Sequence, residues 1–223
     1  MTTRKPSRYD FGPLAEDYDR WYQTPDGQMH DRAQKQDVRD LLSPAGAGQS
    51  LLDVGCGTGH WSAFFAEMGY RVTGIDVARE MIQRARIAVP DGTFRVADAC
   101  ELPFDDGSFD VVASMATIEF VTEPVAAIRE MVRCARSGGV LLIGTLNPLA
   151  PLNRQRLLAG EPPYASARMF SPGELRRLLR PWGRVGMRAS SPAQHGPRRA
   201  RARRLAALGR GPDGPFIVAE VRR

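Results

Sequence analysis

The chain has 223 residues, of which 43% are hydrophobic and 25% are charged, and its formal net charge at pH 7 is +6. This length suffices for one α/β domain with a full core and is too short for two. No apolar stretch approaches the roughly 18 residues that a membrane-spanning helix needs. The basic N-terminus lacks the apolar segment of a secretory signal. We therefore expect a single cytoplasmic domain without a membrane span.

The cysteine content argues against a disulfide framework and against a metal site. Cys56, Cys100 and Cys134 are odd in number and show neither zinc-ligand spacing nor a C-x-x-C pair. We expect all three to be reduced and buried, and we expect no metal.

The chain is organised around residues 51–61, with the sequence LLDVGCGTGHW. A short apolar run, three closely spaced glycines and a helical pattern follow one another, which predicts a strand, a tight turn and a helix. Glycine permits left-handed backbone angles and close approach of a ligand, and the start of the helix offers free N–H groups. The turn is therefore predicted to cradle a ligand.

The spacing of the glycines indicates which ligand. A dinucleotide fingerprint needs its third glycine where this chain has His60, and the Gly-Lys-Ser/Thr ending of a P-loop is absent. The pattern Asp-x-Gly-x-Gly-x-Gly instead resembles the S-adenosylmethionine motif of class I methyltransferases. A carboxylate beside the turn favours a ligand with a sulfonium and an ammonium over a pyrophosphate. The resemblance implies that five residues of this stretch contact the cofactor, namely Asp53, Gly55, Cys56, Gly57 and Gly59.

The resemblance extends over residues 45–146 and includes at least four motifs in the expected order. It is to the methyltransferase type 11 group, which contains small-molecule enzymes of the ubiquinone and menaquinone pathways. It implies a doubly wound, Rossmann-like sheet of seven strands in the order 3-2-1-4-5-7-6, with the last strand antiparallel. We expect a single domain made of an N-terminal helical arm (1–44), a cofactor-binding core (45–146), a substrate-lid insertion (147–170) and a C-terminal helix and strand pair (171–223).

Residues 70–76 predict a second strand that ends in a carboxylate. An acid at this strand tip is placed to accept hydrogen bonds from both hydroxyls of a ribose. We therefore assign Asp76 to the ribose of the cofactor, and Val77 and Met81 to its adenine ring. The alternative is that Asp76 only caps the following helix.

Two further segments carry predicted cofactor contacts. The stretch from Asp98 to Phe104 resembles the family's Asp-Ala-x-x-Leu-Pro-Phe motif, which implies that Asp98 accepts from the adenine amine and that the N–H of Ala99 faces the ring. Met115 and Ala116, where the fourth strand ends, complete the predicted set of contacts.

Glu119 is the candidate catalytic residue. Ligands bind at the carboxyl edge of open α/β sheets, and the segment 116–121 leaves the fourth strand there. Family members often carry a histidine at the position of Phe120, and this chain does not. Glu119 is the nearest ionisable group, and we expect it to act as a base or as an anchor for a cationic substrate. The alternative is a solvated or capping carboxylate.

The N-terminal arm is rich in aromatic residues, which include Tyr9, Phe11, Tyr18, Trp21 and Tyr22. In the family such an arm commonly folds over cofactor and substrate, and by this resemblance we include Tyr18 among the cofactor contacts. The alternative is that the rings only cap the core.

The remaining elements follow from local signals. A helix opens at Pro124 and is predicted to end at residues 137–139, before a fifth strand over 140–146. Residues 171–174 form a capping box that starts another helix. Alternating apolar residues near 185–189 and the run 216–221 predict the last two strands.

Residues 198–204 contain five arginines, which would suit nucleic-acid phosphates or an anionic membrane. Such blocks are usually solvated faces, and no RNA-binding module accompanies this one, so we do not expect a nucleic-acid partner.

These features predict transfer of a methyl group from S-adenosylmethionine to an O, N, S or C nucleophile of a small molecule by in-line displacement. Two alternatives stay open, a nucleic-acid methyltransferase and a cofactor-binding protein without transfer activity. The acceptor, the need for a general base and the oligomeric state are not predicted.

Overall fold

The computed structural model describes residues 5–190 and 214–222, and these form an α/β structure around one sheet. Its seven strands have the order β3-β2-β1-β4-β5-β7-β6, which confirms the predicted topology. Strands β1 to β5 pair in parallel, and β7 is antiparallel to both of its neighbours. The carboxyl ends of β1, β2, β3 and β4 therefore meet at one edge of the sheet.

The strands are β1 (Ser50–Val54), β2 (Arg71–Asp76), β3 (Thr93–Val96), β4 (Phe109–Met115), β5 (Ala135–Leu146), β6 (Arg184–Ser190) and β7 (Phe216–Arg222). The helices are α1 (Arg20–Gln23), α2 (Pro25–Leu41), α3 (His60–Glu67), α4 (Arg79–Ala88), α5 (Pro124–Cys134), α6 (Pro151–Ala159) and α7 (Pro172–Leu179).

The central strands are buried on both faces, because helices cover the sheet from two sides. Leu51 and Leu52 are both fully buried, yet they point to opposite faces, as the twofold alternation of a strand requires. Leu52 joins a core with α5 and α7, whereas Leu51 joins a core with α2 and α3. Burial of each such side chain contributes roughly 1.5–3 kcal/mol, so the two cores hold the sheet edge rigid.

Helix α7 begins as predicted, with a complete capping box. The Ser171 hydroxyl accepts from the backbone N–H of Glu174, and the Glu174 carboxylate accepts from the backbone N–H of Ser171 at 2.9 Å. The two interactions satisfy donors that the first turn of a helix leaves free.

The boundary between α5 and β5 differs from the prediction. The helix ends at Cys134 and the strand starts at Ala135, so Gly138 and Gly139 lie inside the strand. The pairing of Ala135 with Phe109 starts the strand early, and the register of the ladder then shifts before Val140 pairs with Val111. Gly138 takes φ +73° in this irregular stretch, so the glycines accommodate a bulge and do not end the helix.

The cysteines are free thiols. Cys56 and Cys134 are buried as predicted, but Cys100 is half-buried, because it lies in the loop after β3. Over the described ranges, no helix combines the length and apolar character needed to cross a membrane.

Candidate functional site

The glycine turn joins β1 to α3 in a left-handed conformation. Gly55, Gly57 and Gly59 have φ of +76°, +53° and +91°. A Cβ at Gly55 would lie 2.1 Å from the Thr117 side chain, whose hydroxyl donates to the Gly55 carbonyl at 2.9 Å. A Cβ at Gly59 would lie 2.9 Å from Ala85 Cα of α4. These two glycines are therefore required by protein packing.

Gly57 differs, because a Cβ there would meet no atom within 4 Å. Gly57 also lines the cleft beside the turn. Its missing side chain therefore leaves space that a ligand can occupy.

Asp76, at the tip of β2, holds the turn in place. Its two carboxylate oxygens accept from the backbone N–H groups of Gly57 and Ala78, each at 2.9 Å. Burial raises the pKa of Asp76, although the backbone hydrogen bonds oppose the shift. Because Asp76 also lines the cleft, its carboxylate both positions the turn and faces the ligand space.

Asp53 is a buried residue of β1, just before the glycine turn. Only 1% of its surface is exposed, and its Oδ2 accepts from the Ser62 hydroxyl at 2.6 Å. Its Oδ1 has no hydrogen-bond partner among the residues described. Burial, and to a lesser extent the charge of Asp76, raises the pKa of Asp53 to about 7. Two neighbouring carboxylates, one of them incompletely paired, form an environment that a cation would stabilise.

The cleft lies at the carboxyl edge of the sheet. Most of the predicted cofactor residues line it, namely Tyr18, Gly55, Cys56, Gly57, Asp76, Val77, Met81, Asp98, Ala99, Met115 and Ala116. Asp53, Gly59 and Glu119 are not among its lining residues. Most of the residues predicted from the sequence thus line one cleft, and the other three are buried behind or beside it.

Replacing Gly57 with alanine should weaken ligand binding at this cleft more than it weakens the fold. The left-handed backbone should lower the free energy of unfolding by about 1–2 kcal/mol. The methyl group should crowd a bound ligand and lower its affinity by roughly tenfold. Titration calorimetry with S-adenosylhomocysteine measures the second effect.

Gly48→Ala is the matched control, because Gly48 has φ +73° and equally open space but lies in a surface turn outside the cleft. It should destabilise the fold similarly and leave affinity unchanged. Equal affinities for wild type and Gly57→Ala would contradict the expected crowding.

Glu119 is completely buried and is held by three polar contacts. Its carboxylate accepts from the Thr145 hydroxyl at 3.0 Å and from the backbone N–H of Leu146 at 3.1 Å. Its carbonyl accepts from the backbone N–H of Arg168 at 2.7 Å. Burial raises the pKa of Glu119 to about 7. The side chain is therefore not solvated, and its catalytic role stays a prediction.

The N-terminal arm closes one side of the cleft. Ser7 forms a β-bridge with Val121, and the Thr58 hydroxyl donates to the Asp19 carboxylate at 2.7 Å. Tyr22 stacks on His60 with ring centroids 3.7 Å apart. His60 begins α3. Its stacking on Tyr22 and the contact of Asp19 had no signal in the sequence. They attach the arm to the glycine turn.

A second cavity adjoins the cleft. Both are lined by Phe11, Tyr18, Tyr22, Ala116 and Phe120. Ala116 has φ +54°, and no other non-glycine residue in the described ranges has a positive φ. This strained residue therefore stands where the two spaces meet.

The second cavity is built from segments that carry no recognisable motif. Its remaining lining residues come from the arm, α2, the region 146–164 and the start of β7, and are Leu14, Asp17, Trp21, His30, Gln34, Leu146, Leu152, Arg156, Pro163, Tyr164, Pro215 and Phe216. The aromatic arm therefore does more than cap the core. The arginine block at 198–204 lies outside the described residues.

Part of the chain is similar to a known protein family. Residues 52–143 match a family model described as a methyltransferase domain. The range contains the glycine turn and Asp76, and it ends within β5.

Two curated relatives are named as methyltransferases. The chain is 35% identical over 117 residues to a malonyl-[acyl-carrier protein] O-methyltransferase of Serratia marcescens, covering 51% of this chain and 46% of the relative. It is 40% identical over 106 residues to a ubiquinone biosynthesis O-methyltransferase of Xanthomonas oryzae, covering 45% and 44%. The matches therefore span about half of this chain and less than half of these relatives.

A solved structure matches nearly the whole chain. It is a Thermotoga maritima S-adenosylmethionine-dependent methyltransferase, described as a possible histamine N-methyltransferase, with a TM-score of 0.70 and 25% identity. The alignment covers 95% of this chain and 97% of that one. The fold of the methyltransferase domain therefore continues through the arm and the last strands.

The Thermotoga maritima structure is described as dependent on S-adenosylmethionine, and the cleft fits such a ligand chemically. The carboxylates of Asp76 and Asp98 line the cleft and suit a ligand with cationic groups and hydroxyl donors. The open space at Gly57 lets that ligand approach the backbone.

Proposed function

We propose that the chain transfers a methyl group from S-adenosylmethionine to a nucleophilic O, N, S or C atom of a small molecule. One observation carries this proposal: a cleft lined by Asp76 and Asp98 opens beside an aromatic cavity, and Ala116 and Phe120 line both. A donor in the first space and an acceptor in the second would meet at this shared wall. The name of the ubiquinone biosynthesis O-methyltransferase supports a small acceptor.

We assign residues 45–146 to donor binding, the arm 1–44 and the insertion 147–170 to enclosing the acceptor, and 171–223 to completing the sheet. Asp76 accepts from the ribose hydroxyls, and Val77 and Met81 flank the adenine. Asp98 and Ala99 contact the adenine edge. The remaining donor contacts come from Tyr18, Asp53, Gly55, Cys56, Gly57, Gly59, Met115 and Ala116.

When bound, the cofactor supplies an electrophilic methyl group on a sulfonium. The chain's part is to hold the acceptor atom in line with the breaking bond. The paired cavities do this by enclosing both molecules, and such positioning reaches effective molarities of roughly 10⁵ M or more. No nucleophilic side chain is therefore required.

An acceptor that must lose a proton needs a base. His30 lines the acceptor cavity, and burial, aided by the charge of Arg156, holds its pKa below the ordinary value. The imidazole is therefore neutral at pH 7 and free to take a proton. Burial keeps the pKa of the Tyr18 phenol well above its usual range, so Tyr18 stays a hydrogen-bond donor.

The test is transfer of label from methyl-labelled S-adenosylmethionine into cell extract, separated into metabolite, lipid, RNA and protein fractions. We expect label in the metabolite or lipid fraction with wild type and none with Asp76→Ala. Label in RNA would instead support a nucleic-acid methyltransferase. Cofactor binding without label in any fraction would favour a binding protein.

A further inference from the structure

Among the residues that the structure describes, few charged groups line the second cavity, which is the proposed acceptor cavity. Asp17 and Arg156 line it, together with the neutral His30. Asp17 is already paired, because its carboxylate lies 2.8 Å from the Arg20 guanidinium. Of these two charged side chains, Arg156 is therefore the one for which a partner of opposite charge has to be sought.

Arg156 lies on α6 and is held by neutral groups. Its guanidinium carbon is 4.3 Å from the centre of the Tyr164 ring, and its Nη1 donates to Asn153 Oδ1 at 3.4 Å. Asn153 is buried and donates to the carbonyls of Asn147 and Pro215, at 2.9 and 2.7 Å. Arg156 is thus stacked on one ring and anchored through a fixed amide.

No carboxylate within 5–190 or 214–222 comes within 4.0 Å of the Arg156 guanidinium. The side chain is half-buried, so water screens its charge only in part. The lowered pKa of His30 is a consequence of burial and of this cation. The surrounding lining is mainly aromatic and aliphatic, with Trp21, Phe120 and Phe216 among its members.

We propose that the methyl acceptor is an apolar molecule with a carboxylate that pairs with Arg156. A guanidinium presents parallel N–H donors that match the two oxygens of a carboxylate, and the Tyr164 ring restricts its plane. The aromatic lining receives the apolar body of the acceptor. This inference rests on the proposed function and adds the charge class of the substrate and a specificity-determining residue.

The probes are benzoate, its neutral analogue benzamide, and phenyl phosphate, titrated by ligand-observed NMR into protein saturated with S-adenosylhomocysteine. Wild type should bind benzoate roughly tenfold more tightly than benzamide. Arg156→Gln should abolish this preference, and Arg156→Lys should retain part of it. Arg154→Gln is the matched control, because Arg154 is exposed on the same helix and does not line the cavity, and it should behave as wild type.

Equal binding of benzoate and benzamide would overturn the inference, as would tighter binding of phenyl phosphate or a preference that survives in Arg156→Gln. Absence of benzoate binding in a protein that binds S-adenosylhomocysteine would also overturn it, while leaving the proposed function intact. Failure to bind S-adenosylhomocysteine would instead remove the proposed function itself.

Discussion

Replacing Asp76 with alanine should lower the affinity for S-adenosylhomocysteine by roughly 100-fold and abolish detectable methyl transfer. The carboxylate faces the cleft and accepts from the N–H groups of Gly57 and Ala78. Its loss removes the acceptor for the ribose hydroxyls and leaves two backbone donors without their partner. Each hydrogen bond to a charged group contributes about 1.5–3 kcal/mol, so even one lost contact accounts for a large effect.

Titration calorimetry measures the affinity, and thermal unfolding shows whether the turn still folds. Asp110→Asn is the control, because Asp110 also accepts from a backbone N–H, that of Ser50 at 2.8 Å, but stands at the opposite end of the sheet. It should change stability and not affinity. Asp76→Asn separates the effect of the negative charge from the effect of the side-chain shape, since the amide retains one acceptor oxygen. Binding by Asp76→Ala within a few-fold of wild type would remove Asp76 from the proposed site.

Much of the fold was predictable because its signals are local. The apolar run before Gly55 predicts a buried strand, and the glycine spacing requires a turn with positive φ, which the structure has. The Ser171 capping box depends on residues three positions apart, so it is readable from the chain alone. The order of the strands came from resemblance, because local patterns do not determine which strands pair.

The contacts that support the glycine turn were less predictable because they join residues distant in sequence. Thr117 supports Gly55 across 62 positions, and Asp19 binds Thr58 across 39. No periodicity indicates such pairs. The predicted end of α5 is wrong for a similar reason. Pairing of Ala135 with Phe109 outweighs the helix-ending tendency of the later glycines.

The pH dependence of stability should reveal the buried carboxyl of Glu119. Its pKa is about 7 in the folded protein, against 4.5 for an exposed glutamate, so the folded state holds a proton that the unfolded state releases at lower pH. The contribution of this group is fully present below pH 4.5 and is lost as pH rises through 7. Between pH 5 and pH 8 the loss should be about 2–3 kcal/mol, with Asp53 adding a loss of the same sign.

Glu119→Gln should flatten this slope, because an amide is neutral at every pH and its oxygen still accepts from the Leu146 N–H. The variant should match wild type near pH 5 and exceed it at pH 8 in urea-measured free energy of unfolding. Glu130→Gln is the control, since Glu130 pairs with Arg133 at 2.8 Å and its pKa is lowered. That variant should lose stability without altering the slope between pH 5 and pH 8.

The same Glu119→Gln protein tests the catalytic prediction independently of stability. If Glu119 exchanges a proton with the acceptor, transfer should fall by roughly 100-fold or more while S-adenosylhomocysteine binding persists. If it only positions Thr145 and Leu146 behind the acceptor cavity, transfer should persist and the pH slope alone should change. An unchanged slope would contradict the burial effect, because no other property of this carboxyl raises its pKa.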